Sequence, residues 1–265
     1  MPHFQFDQHE LFYEQTGQGP PLVLLNGLMR HLSLWDNWVS VLQGSFEVLR
    51  LDFLGSGRSK TSPTSFSIES LADQVSSLLD HLDISKAHLL GFSLGTAVLQ
   101  SFALKYPKRV LNCALLTPFF KFPTCASLHY RNQIKLKKQG VDLKVAMEAE
   151  LPWLYSDTYL RERQNILQLI EEEENNPYPF SIDSYEAQLN ALEEFDQTAH
   201  LSSLTSPCLL MAGEHDFLTL PTYAKKMNAL LPHGRLEIIP RAPHMGFQEQ
   251  GLDFITVIME WLLDR

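Results

Sequence analysis

The sequence is poor in cysteine, has no excess of positive charge and contains no long apolar run. Only three cysteines occur in 265 residues, and their spacing indicates neither a disulfide framework nor a metal site. The 31 acidic residues outnumber the 21 basic ones, and the net charge of −10 disfavours a nucleic-acid partner, because phosphate binding needs a basic face. No uninterrupted apolar stretch approaches membrane-spanning length. We therefore expect a globular protein without a metal, a cofactor or a membrane span.

The N-terminal segment also lacks a targeting pattern. Met1–Asp7 does not have the charged-then-apolar order that is typical of a signal peptide. Cys113 and Cys208 fall within apolar runs, where a thiol usually serves as a small buried hydrophobe. We therefore expect a reducing, cytoplasmic location. The length favours one α/β domain over two independent domains.

Short apolar runs recur along the chain and are separated by turn residues. After an opening hairpin around Phe4–Tyr13, such runs suit strands of a parallel sheet that is covered on both faces. The predicted strands are Leu22–Leu25, Phe46–Leu51, Ala87–Leu90, Val110–Leu116, Cys208–Ala212 and Leu236–Ile239. Helical periodicity lies between them, in Ser67–Leu82, Thr96–Lys105, Tyr223–Leu231 and Phe254–Leu263. This alternation predicts an α/β fold with a mostly parallel, doubly wound sheet.

One stretch interrupts the alternation of strands and helices. From Phe119 to Ser206 the sequence is helical and amphipathic, without a convincing strand, and Pro152, Pro177 and Pro179 divide it into pieces. We expect this stretch to be a helical cap, or lid, inserted over the carboxyl ends of the strands. The predicted organisation is therefore a core of residues 1–118 and 207–265 and a cap of residues 119–206.

The strongest chemical signal is Gly91-Phe92-Ser93-Leu94-Gly95, which follows a predicted strand and opens a helix. A nucleophile on a sharp strand-to-helix turn needs small residues two positions to either side, because backbone and helix approach closely there. The turn also places the hydroxyl at a helix N-terminus, which favours negative charge. A bare Gly-x-Ser-x-Gly is common by chance, but this position makes it specific. We predict that Ser93 is a nucleophile.

A serine hydroxyl needs a base to activate it, and the ten histidines offer several candidates. His244 follows the last predicted strand in a loop flanked by proline and glycine, at the sheet edge that carries the serine turn. His88 lies inside a strand, whereas His129 and His200 belong to the cap, where a surface or core role is the ordinary expectation. The position of its loop therefore singles out His244 as the base.

The base needs an acid that orients its ring. Asp216 closes Gly213-Glu214-His215-Asp216 after the penultimate strand, and the chain order Ser93, Asp216, His244 then follows a known pattern. The rival position after an earlier strand holds Thr117-Pro118 and offers no carboxylate. Glu214 and Asp183 are weaker candidates, and capping a helix is the alternative role for Asp216.

Two loops are candidates for supporting roles. An oxyanion hole needs backbone N–H donors, and we predict the N–H groups of Leu94 and Leu28, with Gly27 permitting an unusual backbone conformation. Asp52–Ser59 contains two glycines but lacks the Lys-Ser/Thr ending of a phosphate loop. We interpret this segment as a structural turn.

Together these features resemble the α/β-hydrolase superfamily along nearly the whole chain. The similar segments are the turn Asp52-x-x-Gly55-x-Gly57-x-Ser59, the Ser93 turn, the Gly-Glu-His-Asp ending at Asp216 and the Pro-His at His244. Asn26-Gly27 stands where the family commonly has His-Gly. The resemblance implies an eight-stranded, mostly parallel sheet with a helical cap, and ester hydrolysis through an acyl-enzyme. Because the turn carries serine and not aspartate, epoxide hydrolases and haloalkane dehalogenases are disfavoured.

The predicted activity is that of a carboxylesterase or thioesterase acting on a small to medium apolar acyl group, free or bound to a carrier protein. An aromatic and aliphatic cap suits such a substrate, and the predicted substrate-binding residues are Asn26, Phe92 and Trp153. Three alternatives stay open with the same triad. They are an acyltransferase that moves (hydroxy)acyl groups from a thioester carrier, a hydrolase of carbon–carbon bonds, and a ligand receptor.

Overall fold

The computed structural model describes residues 2–59 and 67–264. They form one eight-stranded sheet with helices on its faces, in the strand order β1-β2-β4-β3-β5-β6-β7-β8. The strands are β1 His3–Phe6, β2 His9–Thr16, β3 Pro21–Leu25, β4 Glu47–Leu51, β5 Ala87–Phe92, β6 Val110–Leu116, β7 Cys208–Gly213 and β8 Gly234–Ile239. Strands β1 and β2 pair antiparallel, as do β2 and β4, and the remaining neighbours are parallel. The predicted fold class is confirmed.

The helices flank this sheet, and some of them lie in the long stretch of chain between β6 and β7. They are α1 Asp36–Leu42, α2 Ile68–His81, α3 Leu94–Lys105, α4 Thr124–Lys138, α5 Leu143–Leu154, α6 Asp157–Arg161, α7 Arg163–Glu174, α8 Ile182–Glu194, α9 Pro221–Leu230, α10 Gly246–Glu249 and α11 Gly251–Leu263. Across the described residues, none of them is both long enough and apolar enough to cross a membrane.

The central strands are apolar because both faces of the sheet are covered. Every residue of β5 and of β7 is buried, which explains why these segments read as continuous apolar runs and not as alternating ones. Helix α3 packs against β5 and α2, and its first ten residues are all buried. Helix α2 is amphipathic instead, and it begins at a capping box in which the Ser67 hydroxyl accepts from Ser70 N at 3.2 Å.

Five helices, α4 to α8, lie between β6 and β7. A short antiparallel bridge between Lys121 and Asp196 joins the two ends of this segment at its base. Pro177 and Pro179 separate α7 from α8, as predicted. Pro152 was expected to break a helix, but it lies inside α5, two residues before its end. Pro152 lacks the N–H that would donate to the carbonyl four residues earlier, and α5 ends two residues after it.

Candidate active site

Ser93 lies in the sharp turn between β5 and α3, with φ at +50°. L-residues rarely adopt this conformation, and it points the chain abruptly from the strand into the helix. A Cβ on Gly91 would lie 2.5 Å from the Gly95 carbonyl oxygen, and one on Gly95 would lie 2.3 Å from the Leu25 carbonyl oxygen. Both glycines are therefore required by close backbone approach. The helix begins at Leu94, two residues before the predicted start.

Asp216 and His244 form a buried pair at the same edge of the sheet. Asp216 follows β7 and His244 follows β8, and the distance from Asp216 Oδ2 to His244 Nδ1 is 2.8 Å. The two residues are only 1% and 2% exposed. Because this contact occupies Nδ1, the other ring nitrogen, Nε2, is left for a second partner.

Three donors from the following turn hold the Asp216 carboxylate in place. The backbone N–H groups of Leu218 and Thr219 donate to Oδ1 at 2.9 and 2.8 Å, and the Thr219 hydroxyl donates to Oδ2 at 2.7 Å. Thr219 Oγ1 also lies 3.4 Å from His244 Nδ1. Thr219 was missed from the sequence, although an Asp followed three residues later by Thr is a known local turn pattern.

Ser93 and His244 share Phe92 as a neighbour. The Phe92 ring lies 5.1 Å from the His244 ring, measured between centroids, and Phe92 directly precedes the serine. Within the part of the chain that the structure describes, no hydrogen bond joins the Ser93 hydroxyl to His244. Such bonds are often long without substrate and shorten when substrate binds.

The predicted oxyanion donors are the N–H group of Leu28, in the loop after β3, and that of Leu94, directly after Ser93. Neither N–H group has an acceptor among the described residues, as a site for a substrate oxygen requires. The unusual backbone predicted for Gly27 is found instead at Met29, whose φ is +58°. Gly27 is needed for space, because a Cβ there would lie 2.8 Å from the Phe92 ring.

The three predicted substrate-binding residues differ in their surroundings. Asn26 is fully buried and its amide donates to the Leu51 carbonyl at 2.9 Å, so its described contact links β3 to β4. Phe92 is buried between His244 and Phe247. Trp153, near the end of α5, is 36% exposed.

The turn Asp52–Ser59 is held together by the carboxylate of Asp52. Asp52 accepts from Leu32 N at 2.8 Å and from Arg58 N at 2.9 Å, while burial raises the pKa of this carboxyl group. These contacts support the interpretation of the segment as a structural turn. Ser56 in the same turn accepts from the side chain of Gln188 at 2.9 Å.

Gln188, on helix α8, is a second residue that the sequence did not single out. Besides Ser56, it contacts the Leu28 loop, where its Oε1 accepts from Met29 N at 3.1 Å. It thus connects the helical segment to two loops at the carboxyl edge of the sheet. Because the two partners are more than a hundred residues away in sequence, no local pattern could have revealed this role.

His129, on helix α4, is the third. It is 7% exposed, and burial, with a smaller contribution from the charge of His244, lowers its pKa to about 4. The imidazole is therefore neutral near pH 7. Its buried Nε2 has no hydrogen-bond partner among the described residues. Sequence analysis assigned this residue an ordinary surface or core role.

Known hydrolases are similar to this chain over nearly its whole length. RutD of Pantoea ananatis, a candidate carbamate hydrolase, is 26% identical over 96% of this chain and 92% of its own length. The 3-oxoadipate enol-lactonase 2 of Acinetobacter baylyi is 27% identical over 96% of both chains. The crystal structure of a thermophilic esterase from Thermogutta terrifontis has a TM-score of 0.84 and 26% identity, covering 98% of this chain and 96% of that one.

The family described as the alpha/beta hydrolase fold matches residues 20–250. This range contains the serine turn, the Asp216–His244 pair and the five helices between β6 and β7. A match over so much of the chain, together with hydrolase relatives of the same length, identifies the family. The chain belongs to the α/β-hydrolase fold family.

Proposed function

We propose that this protein is a serine hydrolase that cleaves a carboxylic ester or thioester of a small to medium, largely apolar acyl group. Ser93 is the nucleophile, His244 the general base and Asp216 the acid that orients it. The observation that carries the proposal is the convergence of the strained serine turn and the buried 2.8 Å Asp216–His244 pair at one edge of the sheet. Relatives that act on esters and lactones support the same reaction type.

The first half-reaction transfers the acyl group to the enzyme. His244 Nε2 takes the proton of the Ser93 hydroxyl as Oγ attacks the carbonyl carbon of the substrate. The N–H groups of Leu28 and Leu94 stabilise the oxyanion that forms. When this intermediate collapses, the bond to the leaving oxygen or sulfur breaks, and the His244 proton passes to the leaving group.

The second half-reaction regenerates the enzyme. A water molecule gives its proton to His244 and attacks the acyl carbonyl, and the acid leaves as Ser93 recovers its proton. Asp216 keeps the imidazole in the required tautomer during both steps. The segment of residues 119–206, with helices α4 to α8, acts as a lid that shields the acyl-enzyme and shapes the acyl pocket.

A fluorescent fluorophosphonate probe tests this proposal directly. We expect the probe to modify Ser93, as identified by peptide mapping, and the modification to be lost in His244→Ala. His215→Ala is the matched control, because His215 is an exposed histidine next to Asp216 and should leave labelling unchanged. Folded wild-type protein that resists labelling, or that is labelled at another residue, would contradict the proposal.

A further inference from the structure

His129 lies on the face of α4 that covers the loop carrying Asp216. Cys125, one helical turn earlier, donates its thiol to the carbonyl oxygens of Phe217 and Leu218 at 3.7 and 3.8 Å. Residues four apart lie on the same side of a helix. This side of α4, which carries His129, therefore faces the segment that directly follows the catalytic acid.

The ring of His129 packs against α5, which is itself bonded to the loop that carries His244. Its ring packs on Trp153 with 4.9 Å between centroids and an interplanar angle of 35°. The next residue along α5, Leu154, accepts a hydrogen bond from Met245 N at 2.8 Å, and Met245 directly follows His244. His129 thus belongs to a helix that bonds to the loop of Asp216, and its ring packs on a helix that bonds to the loop of His244.

The imidazole of His129 makes no hydrogen bond within the described part of the chain, and its Nε2 is buried. A buried polar group without a partner is costly, and an apolar side chain of similar shape would pack there without this cost. The ring is neutral, so it offers one N–H donor and one acceptor nitrogen. Such an unsatisfied group beside a reaction centre is suited to a polar ligand.

Other polar side chains lie near His129 on α4. Tyr130 and Gln133 are both buried on α4, and burial raises the pKa of the Tyr130 hydroxyl, which therefore stays neutral. The Tyr130 ring lies 6.3 Å from that of Tyr185 on α8. The space beneath the lid is consequently not a purely hydrocarbon surface.

We infer that His129 is a substrate-binding residue whose imidazole forms a hydrogen bond with a hydroxyl or keto oxygen on the acyl group. This inference rests on the proposed function and narrows its substrate class from plain alkanoyl esters to hydroxyacyl or oxoacyl esters. The lid then selects substrates by a polar contact in addition to chain length. A site built to bond an oxygen discriminates strongly against analogues that lack it.

Matched pairs of esters test this role. The kcat/KM values for p-nitrophenyl 3-hydroxybutyrate and p-nitrophenyl butyrate, and for the corresponding six- and eight-carbon pairs, are measured in wild type, His129→Phe and His129→Gln. We expect His129→Phe to lose about 10- to 100-fold on the hydroxy ester and less than about threefold on the plain ester. His129→Gln keeps a hydrogen-bonding group and should retain most of the selectivity. His200→Phe, an exposed histidine outside α4, should behave as wild type.

Equal losses of His129→Phe on both esters, or no loss on either, would overturn the inference. If His129→Phe does not fold, wild type and His129→Gln still test the inference. A wild-type kcat/KM that is no higher for the hydroxy ester than for the plain ester would show that the proposed hydrogen bond is not made. Failure of the proposed function itself would give a different result: neither ester would be hydrolysed, and the fluorophosphonate probe would not label Ser93.

Discussion

Ser93 combines a strained backbone with a position at the start of a helix that is buried along its first ten residues. The surrounding close contacts enforce the strain, because neither neighbouring glycine has room for a side chain. Ser93 is buried, at 7% exposed, and the N–H of Leu94 directly after it has no acceptor among the described residues. One residue conformation therefore suits both roles that we propose for this turn, a nucleophile and a donor for the oxyanion.

Replacing Ser93 by alanine should remove activity and leave the fold intact. We expect turnover of any ester substrate to fall by at least about 10⁴-fold, because no other group replaces the attacking oxygen. Ser101→Ala is the control, since Ser101 is a buried serine in the same helix whose hydroxyl has no described partner. Ester hydrolysis and thermal unfolding are measured for both variants. Substantial turnover by Ser93→Ala would exclude Ser93 as the nucleophile.

Thr219 is expected to position Asp216 without touching substrate. In Thr219→Val the Asp216 carboxylate loses a 2.7 Å hydrogen bond. The carboxylate is then less firmly positioned, and it orients the His244 ring less well. We expect kcat to fall about tenfold with KM little changed, and the free energy of unfolding to fall by about 1 kcal/mol. Thr219→Ser should restore kcat, which a purely structural role would not require.

The control for Thr219 is another threonine that donates to an aspartate. Thr198 donates its hydroxyl to Asp196 at the exposed base of the helical segment. Steady-state kinetics of Thr198→Val should match wild type. An equal fall in kcat for the two valine variants would show that loss of a threonine–aspartate bond acts through general stability.

At the scale of elements, the buried strands and the long helices could be predicted. A strand covered on both faces is a continuous apolar run, and a long helix with one buried face repeats its apolar residues at the helical period. Five of the predicted strands match β3, β4, β5, β6 and β8 to within two residues at either end, and Cys208–Ala212 is β7 less its last residue. The seven-residue helix α1 and the four-residue α10 were missed, since they are too short to show a helical period. Pro152 lies inside α5, two residues before the helix ends, because a proline marks a helix boundary only to within a few residues.

The serine turn between β5 and α3 has no room for a side chain at either of its two glycines, Gly91 and Gly95. In Gly95→Ala the new methyl group would lie 2.3 Å from the Leu25 carbonyl oxygen, so β3 and α3 must separate. We expect a loss of about 2–3 kcal/mol in the free energy of unfolding, or failure to fold. Gly251→Ala is the control, because nothing lies within 4 Å of a Cβ at that first residue of α11.

Chemical denaturation separates the two glycine variants. The unfolding free energy of Gly251→Ala should equal that of wild type or rise by up to about 1 kcal/mol, because alanine favours helix. A Gly95→Ala protein as stable as wild type would mean that the close approach of β3 and α3 at this turn is not required.

At the scale of the whole molecule, the candidate site depends on contacts between distant segments. The placement of Ser93, Asp216 and His244 at one edge of the sheet could be predicted, because each lies in the turn or loop after a parallel strand and the carboxyl ends of parallel strands share one edge. Their catalytic roles stay a prediction. Gln188 and His129 could not be singled out, because their significance depends on how helices α8 and α4 pack over that edge. Sequence periodicity specifies which face of a helix is buried but not which loop it faces.

The loop that carries His244 is also hydrogen-bonded to the helical segment between β6 and β7. Glu249, at the end of α10, accepts from Ser156 N at 2.8 Å and from Ser156 Oγ at 2.6 Å, at the junction of α5 and α6. The Met245–Leu154 hydrogen bond lies nearby. These contacts connect α5 and α6 to the loop of His244, and movement of the two helices away from that loop would break them.

Glu249→Ala should therefore loosen the helical segment more than the core. We expect faster amide hydrogen exchange across residues 143–161 and a KM raised by about two- to tenfold, because the open form becomes more populated. Glu260→Ala, an exposed glutamate on α11, should change neither quantity. Exchange that accelerates equally in β5 and β7 would indicate global destabilisation. If exchange in residues 143–161 stays at the wild-type rate, the Ser156–Glu249 contact does not hold the lid closed.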